Sequence, residues 1–161
     1  MSKPSAERMR YENIDGYIRP FELGDTETVL RIWLDGNLQA HRFIPAAYWK
    51  SNIGFMRSAL SQAELFVCSV GGEIVAFVGL QGDYIAGIFV REDHRSEGIG
   101  HRLLAYLEQR HEQLRLSVYE KNARAVKFYS KEGFAIVEKR TDEPTGETEY
   151  VMTWCRSAIT E

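Results

Sequence analysis

Arg95, Gly98 and Gly100 fall in the spacing Arg-x-x-Gly-x-Gly, between an apolar run that ends at Val90 and the residues Ile99, Leu103 and Leu107, which recur at helical spacing. Strand, loop and helix therefore follow one another here. Glycines at such a junction let the backbone come close to a ligand, and a helix start leaves its first N–H groups unpaired with a partial positive charge. The combination is an anion cradle, and Arg95 adds a fixed cation at its mouth, so it suits the holding of a phosphate-bearing ligand. Spacing excludes two familiar phosphate loops. A dinucleotide fingerprint requires a third glycine where Leu103 stands, and a P-loop requires Lys and Ser or Thr where His101 and Arg102 stand. A glycine-rich turn without a ligand accounts for this loop equally well, so the remainder of the chain has to decide.

The second pattern is Asn122-Ala123-Arg124-Ala125-Val126-Lys127-Phe128-Tyr129-Ser130-Lys131-Glu132-Gly133-Phe134. Asn122 suits a helix N-cap, Ala125, Val126 and Phe128 or Tyr129 form an inward face, and Gly133 suits the left-handed residue that ends a helix. Taken alone it is a capped amphipathic helix. Asp83, Glu73, His41 and His101 are further groups able to move protons, although a turn aspartate is ordinarily solvated and a lone histidine structural or exposed. Cys68 and Cys155 each stand in an apolar strand-like context, which reads as two buried thiols rather than a disulfide or a metal pair.

Residues 1–16 are polar and aperiodic and read as a flexible tail, leaving residues 17–161 as a single domain. A strand at Tyr17–Pro20 leads to a helix capped by Asp25, with Val29, Leu30, Ile32, Trp33 and Leu38 on its apolar face. An aromatic segment broken by Pro45 and a second helix from about Lys50 to Leu60 come next. Two strands flank Gly71-Gly72 as a hairpin, and a third runs from Tyr84 to Val90, its interior Gly87 marking a bulge or a close approach. The glycine-loop helix extends to about Glu112. Then come a strand at Leu114–Tyr119, the capped helix, and two closing strands near 134–137 and 150–154.

Hydrophobic residues make up 44% of the 161 and charged residues 27%, which fits one globular core and argues against disorder. The net charge of −3 gives no general attraction to nucleic acid, no apolar run reaches membrane-spanning length, and Met1 to Arg10 has no signal-peptide core. A cytoplasmic protein without nucleic-acid or membrane partners is expected.

Loop and capped helix together resemble the GNAT acyltransferases, which pair a coenzyme A pyrophosphate loop, Arg-x-x-Gly-x-Gly, with a downstream Asn-x-x-Ala-x-x-Phe-Tyr-x-x-x-Gly-Phe segment. The match covers Tyr84 to Phe134 in its motifs and nearly the whole chain in its element order. The resemblance implies an α/β (α+β) fold: a mixed, mostly antiparallel sheet of about seven strands with splayed fourth and fifth strands, flanked by about four helices. It implies acetyl-CoA as cosubstrate, no metal, and transfer to a primary amine by direct attack in a ternary complex, in a monomer or homodimer. The acceptor would be a lysine or N-terminus of a peptide or protein, or a small amine. Backbone of Ile88, Phe89 and Val90 would pair with pantetheine. Arg95, Ser96, Glu97, Gly98, Ile99, Gly100 and His101 would hold pyrophosphate, Asn122 would contact the cofactor, and Tyr129 would lie near the sulfur as proton donor. A phenol of pKa ~10 suits that task. The glutamate that some members carry in the fifth strand is replaced by Ser117, which leaves Asp83 as the candidate base. The alternative is a non-catalytic acyl-CoA-binding or regulatory domain that keeps fold and cofactor.

In this fold the segment between first strand and hairpin walls the acceptor cleft, which brings Phe43, Tyr48 and Trp49 forward as substrate-binding candidates. The core competes for them, and one at least is expected to face the cleft. An aromatic wall suits an amine on an alkyl arm, whereas a polycation would need several carboxylates, and residues 38–60 contain none.

Overall fold

The computed structural model describes residues 17–156. Its elements are β1 (Tyr17–Pro20), α1 (Thr26–Ala40), α2 (Ala46–Ser51), α3 (Ile53–Leu60), β2 (Glu64–Val70), β3 (Glu73–Gln81), β4 (Tyr84–Val90), α4 (Ile99–Glu108), β5 (Gln113–Tyr119), α5 (Ala123–Lys131), β6 (Ala135–Asp142) and β7 (Glu147–Cys155). The strands form one mixed sheet in the order β1-β2-β3-β4-β5-β7-β6. Its neighbours are antiparallel except β4 and β5. The expected architecture is present, with five helices rather than about four. The helix expected from Lys50 starts at Ala46 and is broken at Asn52 into α2 and α3, and α4 stops at Glu108.

Period-two alternation divides the core into two layers. Leu114, Leu116 and Val118 of β5 are buried with Leu103, Leu104 and Leu107 of α4, and α5 packs on the same side through Ala125, Val126 and Phe128. Val67 and Phe77 face the other way, onto Val29, Ile32 and Trp33 of α1 and Leu60 of α3. Tyr119 and Phe89 belong to this second layer. Alternation also explains a correction. Met152 and Trp154 are buried, so Cys155 turns to the opposite face at the end of β7 and is exposed, while Cys68 is buried; neither forms a disulfide.

The parallel pair opens like a fork. β4 and β5 are joined only at Tyr84 with Arg115 and Ile85 with Leu116 among the described residues, so from Ile88 to Val90 the β5-facing side of β4 has no strand partner. Asp83 closes the base of the fork: its carbonyl accepts from the Arg115 N–H at 2.9 Å, and its carboxylate from Gln113 Nε2 at 2.9 Å and Arg115 Nε at 3.3 Å. On the other side of β4, Gly79 faces Gly87 but Leu80 faces Ile85, so Ala86 is a bulge residue. A Cβ on Gly87 would lie 2.6 Å from the Phe89 ring, and one on Gly36 of α1 2.8 Å from it. Both glycines thus make room for Phe89, letting α1 cross β4 closely.

Candidate functional site

A cleft of about 980 Å³ runs through the fork and is lined from both layers of the core. Its α4–α5 end carries the glycine loop. Gly98 stands before α4 with φ 83, a left-handed conformation that glycine adopts freely, and the space above its Cα is open. Ser96 shares a positive φ of 68. Arg95 is held across the cleft wall, Nε donating to the Val90 carbonyl at 3.2 Å and Nη2 to Gln39 Oε1 of α1 at 3.0 Å. His101 meets Glu132 Oε1 through Nδ1 at 2.7 Å. Ile88, Phe89, Val90, Arg95, Ser96, Gly98, Ile99, Gly100, His101, Asn122 and Tyr129 all line the cleft. Glu97 does not, and its carboxylate meets His94 Nδ1 at 3.0 Å instead. The unpartnered edge of β4, the open cradle at Gly98 and the fixed cation of Arg95 fit an extended amide-bearing arm that ends in phosphates.

Tyr129 is half-buried on α5 and lines the cleft, and its hydroxyl has no hydrogen-bond partner among the described residues. Burial pushes the phenol's pKa up, so it stays protonated. Asp83 is not brought here. It lies outside the cleft lining, and the hydrogen bond from Gln113, joined by Arg115, holds its carboxyl below the usual range, the reverse of what a base requires.

The other end is built around His41, for which the sequence alone gives a structural or exposed reading. Asn37 Nδ2 donates to the Trp33 carbonyl at 2.9 Å, which turns Asn37 Oδ1 toward His41 Nδ1, also at 2.9 Å. The ring proton therefore resides on Nδ1, and Nε2 accepts from Asn122 Nδ2 at 3.2 Å across 81 residues of chain. Asn122 Oδ1 in turn caps α5 by accepting from the Ala125 N–H at 3.3 Å. Burial lowers the His41 pKa to about 4, so the ring is neutral near pH 7, with both its nitrogens engaged by Asn37 and Asn122. His41 stacks on Trp49 with ring centres 5.5 Å apart and meets Tyr119 edge-on at 5.0 Å. Of the three aromatic candidates Trp49 lines the cleft, whereas Phe43 and Tyr48 do not and pack against the core. No signal in the sequence linked His41 to Asn122, because the contact depends on how α1 ends against α5.

Comparison with known proteins agrees with this geometry. Residues 61–136 match the family described as "Acetyltransferase (GNAT) domain". The chain is 34% identical over 139 residues to the peptidyl-lysine N-acetyltransferase YiaC of Escherichia coli (strain K12), covering 85% of this chain and 95% of that protein. Among solved structures, apo YjaB from Escherichia coli superposes with a TM-score of 0.78 at 26% identity, covering 86% of this chain and 96% of that one. PaiA N-acetyltransferase from Thermoplasma acidophilum, in complex with coenzyme A, gives 0.73 at 19% identity over 86% and 98%. The chain belongs to the GNAT acetyltransferase family. It is an acetyl-CoA-dependent N-acetyltransferase, an enzyme rather than a non-catalytic acyl-CoA-binding domain. No group of three or more His, Cys, Asp or Glu among the described residues is placed to hold a metal, and no helix among them is long and apolar enough to cross a membrane.

Proposed function

We propose that the acceptor is the ε-amine of a lysine in a peptide or protein. The observation that carries this reading is the aromatic acceptor end of the cleft, His41, Trp49 and Tyr119, which covers an alkyl arm and attracts the ammonium at its tip. The relatives named peptidyl-lysine N-acetyltransferases support the same choice.

In this reading the glycine loop and Arg95 hold pyrophosphate, and the free edge of β4 orients the pantetheine arm. Acetyl-CoA supplies the thioester; the ammonium first gives one proton to water, the neutral amine attacks the carbonyl carbon, the C–N bond forms, the nitrogen gives a second proton to water and the C–S bond breaks. Tyr129 gives its proton to the departing sulfur and recovers one from solvent. Burial makes the phenol a weaker acid than usual, but it desolvates a thiolate formed beside it as well, so the two pKa values rise together and transfer stays accessible.

The test is acetyl-CoA consumption with a panel of acceptors: a peptide with one internal lysine and a blocked N-terminus, a peptide with a free N-terminus and no lysine, polyamines and aminoglycosides. The lysine peptide is expected to be preferred, with mass spectrometry placing the acetyl group on the ε-nitrogen. A clear preference for an aminoglycoside or polyamine overturns the reading.

A further inference from the structure

We infer that Glu149 is the counter-ion that docks the acceptor's ammonium, a specificity-determining residue of this cleft; the inference rests on the lysine reading above. Arg95, Lys121 and Arg124 line the cleft, and Glu149 is the one carboxylate among the described residues that does so. Such a cationic lining suits phosphates. It opposes the entry of a cationic amine, since like charges about 4 Å apart cost roughly 1 kcal/mol even in bulk water and more where water is excluded. An acceptor that arrives as an ammonium needs an opposite charge on its own side of the sheet.

Glu149 is on that side. It is the register partner of Tyr119, so the two side chains project from the same face of the β5–β7 ladder. Tyr119 leads to His41 and from there to Trp49, which places the carboxylate at the border of the aromatic wall and across the sheet from the glycine loop. The neighbouring acid Asp142 is outside the cleft lining and engaged, one oxygen accepting from Tyr119 Oη at 2.9 Å and Thr145 Oγ1 at 2.6 Å.

The Glu149 side chain is only 13% exposed, and a nearly buried carboxylate is costly unless paired. Arg140 supplies the pairing: its Nε donates to Glu149 Oε2 at 2.7 Å and its Nη2 to Ser117 Oγ at 3.0 Å. That grip uses one carboxylate oxygen and fixes the side chain, while Oε1 makes no hydrogen bond among the described residues. A positioned oxygen with spare lone pairs, beside aromatic rings, is the complement of an alkylammonium tip.

Steady-state kinetics of Glu149→Gln and Glu149→Asp with the N-blocked lysine peptide test this. For Glu149→Gln the peptide KM is expected to rise about tenfold or more, the loss of about 1.4 kcal/mol of docking. The acetyl-CoA KM should stay within about twofold, and Glu149→Asp should recover part of the loss, since it keeps the charge. Added salt should raise the wild-type peptide KM and barely move that of Glu149→Gln, because only the former depends on an ion pair. An unchanged peptide KM, or losses that fall equally on acetyl-CoA, overturn the inference. A wild-type enzyme active on lysine peptides beside an equally active Gln variant removes this inference alone, whereas a wild type inactive on every lysine peptide removes the lysine reading with it.

Discussion

At the scale of single residues, the proposed reading gives Tyr129 the most specific chemistry, because its ring packs in the α5 layer while its hydroxyl has no partner among the described residues. Tyr129→Phe keeps the ring and removes the proton. Turnover should fall ~100-fold or more while acetyl-CoA affinity, read by calorimetric titration, changes little. Equal turnover in the variant would show that water or another group protonates the thiolate. Tyr129 was legible because a motif surrounds it, whereas the proton-accepting side was not. Asp83 stands ahead of β4, where the resemblance points to a base, and the structure uses it to clamp the closed end of the fork with Gln113 and Arg115. His41 and Glu149 come together with the site only through pairing of distant segments, α1 with α5 and β5 with β7, which no local spacing encodes.

At the scale of elements, the start of α4 is the part that the sequence specified best, since Gly98 and Gly100 at a strand-to-helix junction leave few alternatives. The two glycines nevertheless do different work. A Cβ on Gly100 would lie 3.0 Å from Phe128 Cζ, so this glycine lets α4 and α5 pack closely, and its replacement would disturb the core along with the ligand. Gly98 has open space above it and a positive φ that Asn tolerates, which makes Gly98→Asn the cleaner probe of the cradle. We expect that variant to stay folded by circular dichroism and to lose acetyl-CoA affinity by about tenfold or more, as a side chain fills the approach to the helix N–H groups. Unchanged affinity would mean that the phosphates lie elsewhere. Element ends were read less well, for identifiable reasons. β6 is an edge strand whose Glu138, Lys139 and Arg140 are exposed, so it lacks the apolar alternation that marks a half-buried strand, and the expected span of 134–137 missed its continuation to Asp142. Gly36 lies within α1 because Phe89 occupies the place of a side chain there.

At the scale of the whole molecule, the sheet works as a partition with a slot in it. Helices α4 and α5 with the glycine loop serve one face, α1 to α3 with the aromatic wall serve the other, and the divergence of β4 from β5 beyond Ile85 connects them. In the proposed reading two substrates of opposite charge enter from separate sides and meet in the slot, which matches direct transfer without a covalent enzyme intermediate; neither Cys68 nor Cys155 lines the cleft. The order of strands and helices along the chain was legible from alternating periodicities, but the mixed sheet and its slot were foreseen only through the family resemblance, since strand splay leaves no mark in composition or spacing. The most direct measurement is a crystal structure of the enzyme with coenzyme A. The pantetheine arm should pass between β4 and β5 against Ile88 to Val90, with pyrophosphate on the N–H groups of residues 98–101 and the sulfur beside Tyr129. Coenzyme A seated instead in the smaller hollow of about 430 Å³ between α1 and Val90 to Arg95, with the fork empty, would contradict it.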